Sequence, residues 1–123
     1  MHRVVHFELL SRDPAATAAF YADVFGWRTS RGEGDYWRLI SDEAEGPSRG
    51  INGATVRPID AALPAPAVVN TIQVPDVAAY AEKVRARGGR TLSDLIPLEG
   101  VGTFQYCADP DGIPFGLIAY EAR

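Results

Sequence analysis

Apolar and polar residues alternate near the start of the chain. In Val4-Val5-His6-Phe7-Glu8-Leu9-Leu10, Val5, Phe7 and Leu9 fall on one side and His6, Glu8 and Leu10 on the other. A period of two predicts a strand whose faces have different jobs. A helix is predicted next, with Asp13 as its N-cap, Pro14 at its first position, and Thr17, Ala18, Tyr21 and Phe25 along its core-facing side. Gly26 stops it, since glycine readily takes the left-handed conformation that follows a helix end. Three short strands are predicted over residues 27–29, 36–40 and 51–56, joined by the polar, glycine-rich segments 30–35 and 41–50.

The same order then returns. Residues 5–26 and 68–89 align at a constant offset of 63, matching Val5 with Val68, Asp13 with Asp76, Ala15 with Ala78, Ala16 with Ala79, Ala18 with Ala81 and Gly26 with Gly89. The second strand, residues 68–74, places Val68, Asn70, Ile72 and Val74 on the side equivalent to Val5, Phe7 and Leu9, leaving Val69, Thr71 and Gln73 opposite. Asn70 is the irregular member of that core-facing set. A second helix starts at Asp76, carries Val77, Tyr80, Ala81 and Val84 on one side, and ends at Gly88-Gly89. Strands over residues 91–96, 103–108 and 115–120 follow, broken by Pro97-Leu98-Glu99-Gly100 and by the turn Asp109-Pro110-Asp111-Gly112.

Each copy is therefore a strand, a helix and three further strands. Residues 57–67, with Pro58, Pro64 and Pro66, read as an extended linker between them. The prediction is an α+β chain of two βαβββ modules, about residues 1–57 and 68–123, joined by a linker over about 58–67. At 123 residues the chain is one domain's worth, so the two modules are expected to share a core.

Composition narrows the classes of function. With 46% hydrophobic and 23% charged residues the chain reads as an ordinary folded protein. A net charge of −4, with no basic cluster beyond Arg85, Arg87 and Arg90, speaks against a nucleic-acid partner. No apolar run approaches membrane-spanning length and the N-terminal residues alternate, so no membrane association and a cytoplasmic location are expected. The one cysteine, Cys107, lies in a strand-like stretch and reads as a small buried residue without chemistry of its own.

Several segments together carry a family resemblance. They are Val5-His6-Phe7-Glu8 leading to Asp13, Phe20-Tyr21 with Phe25-Gly26-Trp27, Val74-Pro75-Asp76, Gly88-Gly89 and Asp109-Pro110-Asp111-Gly112. In this order and spacing the chain resembles the vicinal oxygen chelate superfamily, the glyoxalase/bleomycin resistance protein/dioxygenase family, over essentially its whole length. The resemblance implies paired βαβββ modules forming cupped mixed sheets around a cavity, and a homodimer. It also implies, in metal-using members, ligands from the first and last strands of each module.

Those positions are only partly kept here. His6 stands at the first-strand position of the first module, seven residues before Asp13, and an imidazole suits a divalent cation. The second-module counterpart is Val69, or Asn70 if the Val-Val-His and Val-Val-Asn triplets are aligned. The last-strand glutamate position falls on Gly116, and the remaining position lies near Asn52 and Gly53. Catalytic metal sites need about three protein ligands, so no metal or other cofactor is expected and glyoxalase I activity is disfavoured. A divalent metal remains the alternative, with Glu8 joining His6; strand geometry sets i and i+2 side chains about 7 Å apart and parallel, not converging.

The candidate ligand-binding residues are His6 and Glu8 on the first strand, Tyr36, Trp37 and Arg38 on a middle strand of the same module, and Thr71 and Gln73 on the second module's first strand. His6 can titrate near neutrality with Glu8 as partner or base. The aromatics and the arginine suit a flat polar or anionic ligand, and Thr71 and Gln73 offer neutral hydrogen bonds. Each also has a plain structural reading, as a solvated or packed sheet residue. The acidic loop Asp42-Glu43-Ala44-Glu45 could attract cationic compounds or simply be solvated.

Three functions follow. The first is a glyoxalase/bleomycin-resistance-like protein that binds a small organic ligand in the inter-module cavity without the standard metal. The second is an enzyme of the lyase, isomerase or dioxygenase type, using an atypical metal site or His6 as acid/base. The third is an interaction domain whose cavity is filled by its own side chains.

Overall fold

The computed structural model describes residues 2–41, 50–59 and 63–122. The acidic loop at Asp42, Glu43 and Glu45 lies outside them. Contacts divide the chain into two compact units, residues 6–68 and residues 69–123 together with the N-terminal residues 1–5. The fold is α+β, and each unit is built in the same order.

In the first unit, β1 (Val4–Leu10), which begins two residues upstream of it, leads into α1 (Pro14–Phe25), then β2 (Arg28–Arg31), β3 (Tyr36–Ile40) and β4 (Gly53–Val56). The sheet is mixed, ordered β2-β3-β4-β1, with β1 and β4 parallel and the other pairs antiparallel. Asp13 caps α1 as its pattern requires: its Oδ1 accepts a hydrogen bond from the Ala16 N–H at 3.2 Å. At the other end Gly26 takes φ +73° and its N–H reaches the Ala22 carbonyl at 2.9 Å.

The predicted core side of α1 is only partly buried. Pro14 and Ala18 are buried and Thr17 and Tyr21 half-buried, but Phe25 remains 59% exposed. Instead of entering the core, Phe25 joins a lateral aromatic cluster, with ring centroids 5.9 Å from both Tyr21 and Trp27. Trp27 in turn reaches Phe7 at 5.9 Å, which identifies the Phe7 side of the sheet as the side that carries the helix.

The second unit contains β5 (Ala67–Gln73), which begins two residues upstream of it, α2 (Val77–Ala86), β6 (Arg90–Thr91), β7 (Ile96–Leu98), β8 (Gly102–Ala108) and β9 (Pro114–Tyr120). Its order is β5-β9-β8-β6, with β7 also on β8, and only β5 and β9 run parallel. Asp76 Oδ1 caps α2 from the Ala79 N–H at 3.1 Å. Val77 and Ala81 pack with Val74, Cys107 and Leu117, and Tyr80, Val84, Ile72 and Phe115 close around them. This is the stripe the helical periodicity predicts.

One predicted strand is split. Residues 91–96 are not continuous: β6 ends at Thr91 and β7 starts at Ile96, taking in Pro97 where the sequence reads as a break. Ser93 explains the gap, because its hydroxyl accepts the Tyr106 N–H at 3.0 Å and its carbonyl accepts Gln105 Nε2 at 2.7 Å. A side chain here replaces the ladder bond and lets the segment loop out. Pro97 is tolerated because β7 pairs on one side only, where a missing N–H costs nothing. The turn after β8 is held by Asp109, whose Oδ1 accepts the N–H groups of Asp111 and Ile113, both at 2.9 Å.

The two copies differ in register. In the first, Glu8 pairs with Ala54 across the parallel strands; in the second, Thr71, the residue equivalent to Glu8, pairs with Gly116 and not with Leu117. Gly53 and Gly116 stand at the same offset of 63, yet the slip puts them on opposite faces. Gly53 is on the helix side, packed under the Phe7 ring, while Gly116 is on the helix-free side beside Thr71.

Candidate functional site

Strand register sorts the predicted residues of the first unit. Glu8 pairs with Ala54 and Ala54 with Arg38, while Leu10 pairs with Val56 and Val56 with Tyr36. Paired residues share a face, so His6, Glu8, Tyr36 and Arg38 all project from the helix-free side of this sheet. Trp37 does not join them. It pairs with Thr55, opposite Leu9, which places it on the helix side, where the Arg31 guanidinium lies 6.0 Å from its ring. Adjacent positions on a strand point oppositely, so Tyr36, Trp37 and Arg38 could not have formed one wall.

The four residues form a gradient from dry to wet. Glu8 is 8% exposed, His6 and Tyr36 are half-buried, and Arg38 is exposed, with Nη1 donating to Ser30 Oγ at 3.4 Å. Burial pushes the His6 imidazole below its ordinary value, because a charged ring is poorly solvated there. Burial also raises the Tyr36 phenol, the Glu8 carboxylate raises it further, and the Arg38 guanidinium acts in the opposite sense. The Tyr36 phenol therefore senses both the Glu8 and the Arg38 charge. The arrangement offers an imidazole, a buried carboxyl group, a phenol and an accessible guanidinium on one surface.

In the second unit, Thr71 and Gln73 project from the helix-free side, paired with Gly116 and Ile118. Thr71 is buried and Gln73 half-buried, its backbone N–H donating to the Arg3 carbonyl at 3.0 Å. Phe104 and Tyr106 share this face, being paired with Ile118 and Gly116. Both are buried, and their rings meet edge-on at 4.6 Å. The sequence reading does not single them out, although their i, i+2 spacing in a predicted strand puts two aromatics on one face.

Among the described residues no group of three or more His, Cys, Asp or Glu side chains is placed to hold a metal ion. Val69 is a fully buried apolar residue, and a side chain at Gly116 would run into Phe104, whose Cε2 and Cζ lie 2.6 Å from the position of a Cβ there. Among the described residues, His6 and Glu8 are two donors on this face, where a catalytic site takes about three.

Cys107 is fully buried, and burial pushes its thiol up to about 11, against the weaker opposing influence of Arg85. A groove of about 610 Å³ runs along α2, lined by Ala78, Ala81, Glu82, Arg85, Asp94 and Gln105 among others. None of the predicted binding residues lines it. No helix among the described residues is long and apolar enough to cross a membrane.

Comparison with known proteins agrees with this architecture. No curated protein matches the chain. Among solved structures, methylmalonyl-CoA epimerase from Mycobacterium tuberculosis superposes with a TM-score of 0.66 at 14% identity, covering 97% of this chain and 88% of that one. A variant of Streptomyces coelicolor methylmalonyl-CoA epimerase, in complex with 2-nitronate-propionyl-CoA, gives 0.65 at 23% identity, covering 98% of both chains. A glyoxalase/bleomycin resistance protein/dioxygenase superfamily member from Vibrio splendidus 12B01 gives 0.63 at 21% identity, covering 97% of this chain and 99% of that one. At such identities the likeness is one of fold. The model of the Glyoxalase/Bleomycin resistance protein/Dioxygenase superfamily matches residues 3–117, and the chain belongs to that superfamily.

Proposed function

We propose that this chain binds a small organic ligand carrying an anionic group, against the helix-free face of its first sheet and without the standard divalent metal. The observation that carries this reading is the joint placement of His6, Glu8, Tyr36 and Arg38 on one face, graded from the buried Glu8 to the exposed Arg38. Arg38 supplies the attraction for a carboxylate or phosphate oxygen, and the inner three orient the rest of the ligand by hydrogen bonds in a partly dry setting. Thr71 and Gln73, on the second unit's own helix-free face, are proposed as neutral hydrogen-bonding groups.

Calorimetric titration with benzoate and with methylmalonyl-CoA tests the binding, with Arg38→Gln expected to weaken whichever anion binds. If neither binds at millimolar concentration, the anion reading fails. Elemental analysis with nickel, zinc, iron and manganese titration tests the metal-free part; tight stoichiometric binding lost in His6→Ala would overturn it.

A second reading, an enzyme using this face for acid/base chemistry, draws support from Glu8. A buried carboxyl group and a half-buried imidazole on the same strand face, one repeat apart, are groups of the kind that can each move a proton to or from a bound ligand. Uptake of solvent deuterium into methylmalonyl-CoA, lost in Glu8→Gln, is the expected signature, and no uptake argues for binding alone. A homodimer is also proposed, supported by the exposed Phe20, Val24 and Phe25 on α1. A monomeric mass at micromolar concentration would contradict it. A cytoplasmic setting is proposed as well, supported by the free Cys107.

A further inference from the structure

Thr71 is 1% exposed, and its Oγ1 has no hydrogen-bond partner among the described residues. A buried hydroxyl left unpaired costs its full desolvation, whereas valine has the same shape without that cost. The group therefore calls for an explanation. Its neighbours on the sheet supply one.

Across the β5–β9 pairing Thr71 faces Gly116, and a Cβ at Gly116 would stand 3.2 Å from Thr71 Oγ1 and 2.6 Å from Cε2 and Cζ of Phe104. The edge of the Phe104 ring thus fills space that any other residue at 116 would take for its own side chain. The ring's aromatic contact there is the edge-on Tyr106 at 4.6 Å. Apolar packing can be exchanged for the packing of another ring at little loss. The hydroxyl can only gain from the exchange.

We infer that Phe104 is a displaceable plug over a ligand subsite floored by Gly116 and anchored by the Thr71 hydroxyl. The group it accepts is a small aromatic or planar one bearing a hydroxyl or carbonyl oxygen. The ring of that group replaces Phe104 against Tyr106, and its oxygen takes the hydrogen bond that Thr71 lacks. This rests on the binding reading above for the ligand being small and organic and for Thr71 being one of its hydrogen-bonding groups. Its readouts lie on the second unit's own sheet, so failure here leaves the first-sheet titrations standing, and the reverse holds too.

The matched pair p-cresol and toluene tests it, by NMR titration of the isotopically labelled full chain. p-Cresol is expected to shift the Gly116 amide, the Thr71 methyl and the Phe104 ring signals, and to bind at least fivefold more tightly than toluene. Thr71→Val should erase that preference while leaving the thermal midpoint unchanged or higher. Shortening the plug in Phe104→Leu, or in Phe104→Met should the first fail to fold, should tighten both compounds. Unmoved Gly116 and Thr71 signals in the unmodified protein at millimolar p-cresol would overturn the inference. So would a preference that survives Thr71→Val, or a shortened plug that tightens neither compound.

Discussion

Phe104 lies across Gly116, with two ring carbons 2.6 Å from where a Cβ on that glycine would stand. Gly116 has no positive φ, so glycine is required there for space and not for backbone conformation. The edge of the Phe104 ring, from the neighbouring strand, takes the space that a side chain at position 116 would need.

Gly116→Ala should therefore destabilise the fold by about 1–3 kcal/mol through overpacking. Combined with Phe104→Leu the loss should be smaller than the sum of the two single changes, as read by urea unfolding in a double-mutant cycle. Additive losses would mean that the ring and the glycine do not compete for the same space.

His6 gives the stability a pH dependence of definite sign. Its imidazole sits below its ordinary value of 6.5 in the folded chain, so the unfolded chain takes up a proton more readily. The stabilisation is complete above the unfolded value and is lost as the pH falls toward the folded one. Urea midpoints should drop between pH 7.5 and pH 5, and His6→Gln should drop less. Parallel curves for the two proteins would rule out this source.

Cys107 should be inert in the native state. With its thiol pushed up to about 11 and the side chain fully buried, almost no accessible thiolate exists at pH 8. A thiol-reactive disulfide reagent should label it only as fast as the unit opens, and promptly in urea. Cys107→Ser should cost about 1–3 kcal/mol, because it introduces a buried hydroxyl among apolar neighbours.

The two helix caps can be compared directly. Asp13 and Asp76 each accept one backbone N–H with Oδ1, at 3.2 and 3.1 Å. Asp13→Ala and Asp76→Ala should each cost about 1 kcal/mol, while the asparagine variants should lose little. Denaturant midpoints of the four variants against the unmodified chain provide the check.

Local chemistry made much of the fold legible in the sequence. The offset of 63 that matches Asp13 with Asp76 and Gly26 with Gly89 marks two helices by their caps and stops. Period-two alternation placed β1 at Val4–Leu10, and the polar, glycine-rich segments on either side placed β3 at Tyr36–Ile40. These signals survive because an N-cap, a C-terminal glycine and an alternating face act over a few residues and need no distant partner.

What the sequence could not determine was how strands meet. Strand alternation separates Trp37 from Tyr36 and Arg38, but only the β3–β4 and β4–β1 registers decided which of them face away from the helix. Gly53 and Gly116 looked like counterparts until a one-residue slip in parallel pairing turned them to opposite faces. The second module's strand broke at Ser93 because a side chain replaced a ladder bond. Phe25 left the core because Tyr21 and Trp27 offered it an aromatic neighbourhood. Each outcome but the last depends on a contact between residues far apart in the chain, and pattern along one strand carries no information about its neighbour's register. The repeat in the sequence determined two like modules and their helices. Only the tertiary structure decided that one presents a polar face through His6 and Glu8, while the other sets an aromatic ring and an unpaired hydroxyl over a glycine.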